Sequence, residues 1–82
     1  MATKAQEAAL KLLRKREKNL MEHVRHFSLE QILREIDGLK AFIKEYHLER
    51  QLLTGIVKGV YGLLMDGERY AEAAAIAKTH RL

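Results

Sequence analysis

At 82 residues without cysteine, proline or tryptophan, the chain is one domain's worth of sequence, with no disulfide framework and no thiolate chemistry available to it. Apolar residues make up 48% and charged residues 32%, a balance that excludes an intrinsically disordered chain. The net charge of +4 sits wholly in residues 1–27, which hold seven basic and three acidic side chains, whereas residues 28–82 hold eight of each.

The opening stretch MATKAQEAAL lacks the apolar centre of a secretory leader, and Glu7, Glu17 and Glu22 do not suit an organelle transit peptide. The longest apolar run, LLTGIVKGVYGLLM, is 14 residues and contains Lys58. A bilayer needs roughly 20 apolar residues. A soluble, cytoplasmic, single domain over residues 1–82 is expected, with no membrane association. Period-2 alternation is absent and helical periodicity runs almost throughout. The expected fold class is therefore all-α: a small helical hairpin or bundle with coiled-coil-like packing.

The first predicted helix covers about residues 4–26. Thr3 and Gln6 form a capping box, each satisfying a backbone N–H near the other. Its buried stripe is Leu10, Leu13, Leu20 and Val24, leading to Phe27, with Glu17 either at the rim or facing a partner cation, because an unpaired buried carboxylate is too costly. On the opposite face stand Lys4, Lys11, Arg14, Lys15, Lys18 and Arg25. Of these, Lys11, Arg14, Lys15 and Lys18 are candidate phosphate contacts. Against that, Glu7 and Glu22 dilute the field, the Glu7–Lys11 spacing stabilises a helix by itself, and no aromatic is interleaved to stack on bases. A solvated basic face is the commoner state of such a stretch.

The second element opens at Ser28, with Gln31 closing another capping box and Phe27 placed to staple onto Ile32. From there an apolar stripe of alternating three and four spacing runs Leu29, Ile32, Ile36, Leu39, Ile43, Tyr46, then past Arg50 to Leu53, Val57, Val60 and Leu64. The stretch EYHLE offers no Ser, Thr, Asp, Asn, Gly or Pro to end one helix and begin another. One long helix over residues 29–65 is therefore expected, with a break near His47 as the alternative. At a rise of about 1.5 Å per residue it would be roughly 55 Å long. Off its stripe lie Leu33, Phe42, Leu52, Ile56 and Leu63. Exposed apolar surface of that extent marks an interface, so a homo-oligomer is expected, a dimer first.

Gly55, Gly59 and Gly62 lie along one flank of this helix, where each costs on the order of 1 kcal/mol against Ala. Close packing against the last helix, through Ala73, Ala74 and Ala77, is the expected compensation; a groove for a partner helix and a local bend are the alternatives. The last predicted helix covers about residues 68–79, with Gly67 in the left-handed conformation and Glu68 in the first turn. The two outer helices would fold back along the two halves of the long one. The stretch GERYAEAAAIA resembles the turn and second helix of a tetratricopeptide-type hairpin over 11 residues. The preceding helix lacks that family's spacing, and a single repeat does not stand alone, so no family assignment follows.

His23 and His26, three apart beside Glu22, bring no third ligand for a metal and suit the end of a helix dipole better. No metal or other cofactor is expected. Besides tyrosine, the hydroxyls are Thr3, Ser28, Thr54 and Thr79, the first two being caps. No nucleophile with a base, phosphate loop or carboxylate pair is legible, and an enzyme is not expected. The reading that follows is a non-enzymatic protein–protein interaction module: an adaptor, inhibitor or chaperone-like regulator that self-associates. Its interface would be Phe42, Leu52, Ile56 and Leu63, with Gly55, Gly59 and Gly62 as a second contact. The alternative is a nucleic-acid-binding regulator working through the basic first helix. A first helix lying on an anionic membrane ranks last, since its stripe is modest.

Overall fold

The computed structural model describes residues 3–81, which form a small all-α bundle of α1 (Lys4–His23), α2 (Leu29–Glu45), α3 (Arg50–Asp66) and α4 (Tyr70–His80). A 3₁₀ turn at Val24–His26 follows α1. Both capping boxes form. The Gln6 N–H donates to the Thr3 hydroxyl at 3.1 Å and the Thr3 N–H to the Gln6 side chain at 3.0 Å. Ser28 and Gln31 repeat the exchange at 3.2 and 2.9 Å. Gln6 also donates its amide to the carbonyls of Tyr46 and His47 at 3.4 and 3.3 Å, tying the start of α1 to the end of α2. The two helices are thus antiparallel.

The continuous helix over residues 29–65 does not form; the chain breaks between Glu45 and Arg50. The break is a Schellman turn built without glycine. His47 takes the left-handed conformation at φ 54°. The Leu48 N–H then donates to the Ile43 carbonyl at 2.9 Å and the His47 N–H to the Lys44 carbonyl at 3.2 Å. Those carbonyls are among the ones a helix end leaves unpaired. Leu48 packs half-buried against the core, which gives the turn its apolar anchor. Folding back lets the stripe of α2 meet that of α3, so each half covers the other's apolar surface.

A second Schellman turn ends α3. Here Gly67 does not take the left-handed position; its φ is −85°, and Glu68 takes it at φ 60°. The Arg69 N–H donates to the Leu64 carbonyl at 2.8 Å and the Glu68 N–H to the Met65 carbonyl at 3.0 Å. Glu68 is consequently the turn residue, and α4 begins at Tyr70.

The core holds Leu13, Leu20 and Val24 from the first segment, and Ile32, Ile36, Leu39 and Ile43 from α2. Ile56, Val57, Val60 and Leu64 come from α3, with Ala73 and Ile76 from α4. Among the described residues no polar or charged side chain is buried with them. α3 packs against α1, α2 and α4 alike. Leu10 and Arg14 border a cleft with Leu48 and Leu52, Met21 meets Gly59, and Arg25 borders a cleft with Leu63 and Leu64. The sequence numbers rise together on both sides, so α1 and α3 run parallel. No helix among the described residues is long and apolar enough to cross a membrane.

Candidate binding surface

α1 turns its apolar stripe to α2 and α3 and leaves its other face open. Lys4, Lys11, Arg14, Lys15, Lys18 and Arg25 are all exposed there. Lys4, Lys11 and Lys18 recur every seven residues, and Arg25 continues the count into the 3₁₀ turn. Seven residues are two helical turns, about 10.5 Å, so the cations form a nearly straight row. Arg14 and Lys15 stand to either side of it. Among the described residues the ion pairs are Arg34–Glu30, at 2.6 Å, and Arg69–Glu72. Neither involves a cation of this face. Glu7 and Glu22 share the face and are exposed.

Arg16 belongs elsewhere. Its guanidinium lies 5.5 Å from the centroid of the Phe42 ring, which stacks in turn near Tyr46 with centroids 4.7 Å apart. Phe42 is therefore half-covered from α1. Leu52 and Leu63 are also half-buried, and Ile56 is only 2% exposed. Ile56 cannot serve as a surface contact of the folded chain; the turn at His47 has taken it into the core. Much of the apolar surface on which the expectation of a homodimer rests lies inside the chain. The exposed large apolar side chains are Leu12, Tyr46, Met65 and Tyr70, one on or next to each helix.

The glycines divide. A Cβ on Gly59 would stand 2.8 Å from the Met21 methyl, so Gly59 is closed by α1 and not by the alanines of α4. Gly55 and Gly62 have nothing within 4 Å of such a Cβ. The expected packing of all three against Ala73, Ala74 and Ala77 is not what forms. α4 buries Ala73 and Ile76 and half-buries Ala77, while Ala74 is exposed. Lys58 lies between the two open glycines and is exposed. Its position in the middle of an apolar run was the sequence signal for an outward flank there.

The other charged cluster fastens the fold. Arg69 donates to the carbonyls of Val24 and Phe27, each at 2.8 Å, and its guanidinium pairs with Glu72. A cation at the last carbonyls of the α1 segment caps that end. The hydrogen bond to Arg69 draws the Glu72 carboxyl below its ordinary value, and the same bond raises the Arg69 guanidinium. At the far end of α4, burial lowers the His80 imidazole, opposed by Asp37 and reinforced by Lys40.

Of the histidines expected at the end of the first helix, His23 is engaged within the chain, its ring meeting the Asn19 carbonyl at 2.7 Å and stacking on Phe27 with centroids 6.0 Å apart, while His26 is exposed in the 3₁₀ turn. Two open clefts flank the α1–α3 seam. One, about 490 Å³, is lined by Gln6, Glu7, Leu10, Arg14, His47, Leu48, Glu49 and Leu52. The other, about 400 Å³, lies among Val24, Arg25, Leu63, Leu64, Asp66, Gly67 and Arg69. Neither brings a hydroxyl nucleophile to a base. Compared with family models, curated proteins and solved structures, the chain matches none.

Proposed function

We propose that the protein is a non-enzymatic module that binds nucleic acid through the outward face of α1. The observation that carries this reading is the row of exposed cations, without ion pairs among the described residues, in the first segment, residues 1–27, where the whole net charge sits. Lys11, Arg14, Lys15 and Lys18 are the phosphate contacts, and their role is electrostatic, without chemistry on the ligand. The absence of cysteine accords with a reducing, cytoplasmic location. Fluorescence anisotropy with random-sequence nucleic acid at 50 and 200 mM salt tests the reading. Four phosphate contacts give a log–log salt slope of about −3 to −4. Replacing Lys11 and Lys15 by Ala makes it shallower by about 2. Absence of binding at the lower salt rejects the reading.

A second reading, the protein-interaction module, draws on the bare flank of α3. Among the described residues no atom lies within 4 Å of a Cβ placed on Gly55 or Gly62, and a partner helix lying close to the backbone would account for both. Binding of a protein partner that is lost in Gly62→Arg and indifferent to Lys11→Ala and Lys15→Ala would favour it.

A further inference from the structure

We infer that the ligand is a double helix and that Lys58 of α3 grips it together with α1. This rests on the reading of α1 as the nucleic-acid face and adds to it both a ligand class and a contact on a second helix.

The first observation is what the face lacks. From Lys4 to His23 there is no Phe, Tyr or Trp. Of the rings beside α1, Phe42 is under the Arg16 guanidinium and Phe27 is stacked on His23, and Tyr61 on α3 is half-buried. Single-stranded ligands are held largely by bases stacked on aromatic rings. This face offers none, so it has purchase only on phosphates. α1 also contains neither glycine nor proline, so it presents its charges on a straight rod with no means to follow an irregular strand.

The second observation is the seam. Met21 against Gly59 sets α1 and α3 side by side at that level. Lys58 is the neighbouring residue of Gly59, and Lys18 and Arg25 stand about one turn to either side of Met21 along α1. Packed helices lie about 8–10 Å apart, so Lys58 stands as one exposed cation on the helix beside that row. That separation falls between the widths of the minor and major grooves of B-DNA, about 6 and 12 Å. Lysine stems can reach phosphates on both sides of either groove. A single strand presents one line of phosphates; a duplex presents two. Gly55 and Gly62, about one turn to either side of Lys58, add no side chain beside it, so Thr54 and Tyr61 are its neighbours at that spacing.

The experiment compares a blunt 20-bp DNA duplex, the matching RNA duplex and one DNA strand of equal length, by anisotropy from 50 to 200 mM salt. Wild type, Lys58→Ala, Lys11→Ala/Lys15→Ala and Lys44→Ala are measured, Lys44 being exposed on α2. All four positions are at the surface, and helical circular dichroism checks that each variant is folded. Duplex is expected to bind at least several-fold tighter than single strand. Lys58→Ala is expected to make the duplex slope shallower by about 0.9, as loss of one phosphate contact requires, with Lys44→Ala unchanged. If Lys11→Ala/Lys15→Ala weakens binding but Lys58→Ala does not, or if single strand binds as tightly as duplex, the inference is overturned and the α1 reading stands. If wild type binds none of the three, both fall. The ratio between the DNA and RNA duplex arms identifies which double helix is preferred.

Discussion

Glu68 and His47 hold φ angles of 60° and 54°, a region where a side chain costs about 1–2 kcal/mol relative to glycine. Meanwhile glycine occupies three interior positions of α3, where it weakens the helix. The chain therefore carries glycine where it lowers stability and lacks it where it would raise it. Exchanges at these sites have opposite and computable signs. Gly55→Ala and Gly62→Ala meet no atom within 4 Å and are expected to raise stability by about 1 kcal/mol each. Glu68→Gly should also stabilise, by somewhat less than the strain it relieves, because glycine loses more backbone entropy on folding. Gly59→Leu should destabilise by about 1–3 kcal/mol, since the Met21 methyl already occupies the space. Urea midpoints for the four variants check the set, and a stabilised Gly59→Leu would show that the α1–α3 seam is looser than described. The sequence makes the three glycines visible and their different fates invisible. Their spacing places them on one flank, but only the lateral position of α1 decides that Met21 reaches Gly59 and leaves the others bare. Gly67 is misread for a related reason. The register that places Glu68 in the left-handed position also starts α4 where the Arg69 side chain reaches Val24 and Phe27, and that contact joins residues more than forty positions apart.

At the scale of the helices, α4 is the shortest, and it buries Ala73 and Ile76 fully. Its two ends are fixed by groups that titrate in different ranges. At the start, Glu72 has its carboxyl lowered from 4.5, first by the hydrogen bond from Arg69. A lowered carboxylate stabilises the fold above its ordinary value, and that contribution drains away as pH falls through the lowered one. At the end, His80 is lowered from 6.5 by burial, and its enclosed Nε2 has no hydrogen-bond partner among the described residues. Here the unfolded chain takes up a proton first, so stability falls as pH drops below 6.5. Asp37, which faces His80 from α2, softens that loss, and Lys40 deepens it. Stability against pH is thus expected to descend in two separable limbs, one below neutrality and one in the acid range. His80→Gln should remove the first and Glu72→Gln the second, in urea titrations from pH 8 to 3. A profile unchanged by either substitution would place the pH dependence outside α4. The helices themselves were legible wherever side chains cap them, as at Thr3 and Ser28. The break at His47 was not, because its hydrogen bonds are all between backbone groups, which every residue type carries. What selects it is the gain from laying α2 against α3, a tertiary effect that no local signal in EYHLE records.

For the molecule as a whole, the turn at His47 decides how much apolar surface is left for other chains. The straight form would have left the flank with Ile56 wet; the folded form seals it at 2% exposure. A stable interface needs about 800 Å² on each partner, with an apolar centre. The large apolar side chains still exposed are Leu12 on α1, Tyr46 just beyond α2, Met65 on α3 and Tyr70 on α4. They are distributed one on or next to each helix, while like charges along α1 oppose the pairing of two such faces. The expected state at tens of micromolar is accordingly a monomer of 9.5 kDa by light scattering, independent of salt. Adding a duplex long enough for two molecules should then raise the mass in steps of one chain. A dimer in the absence of nucleic acid would point instead to the flank of Gly55 and Gly62 beside Met65, and Gly62→Arg should dissolve it. If that variant is monomeric and still binds nucleic acid, self-association and ligand binding are separable. If it loses both, the two surfaces act as one.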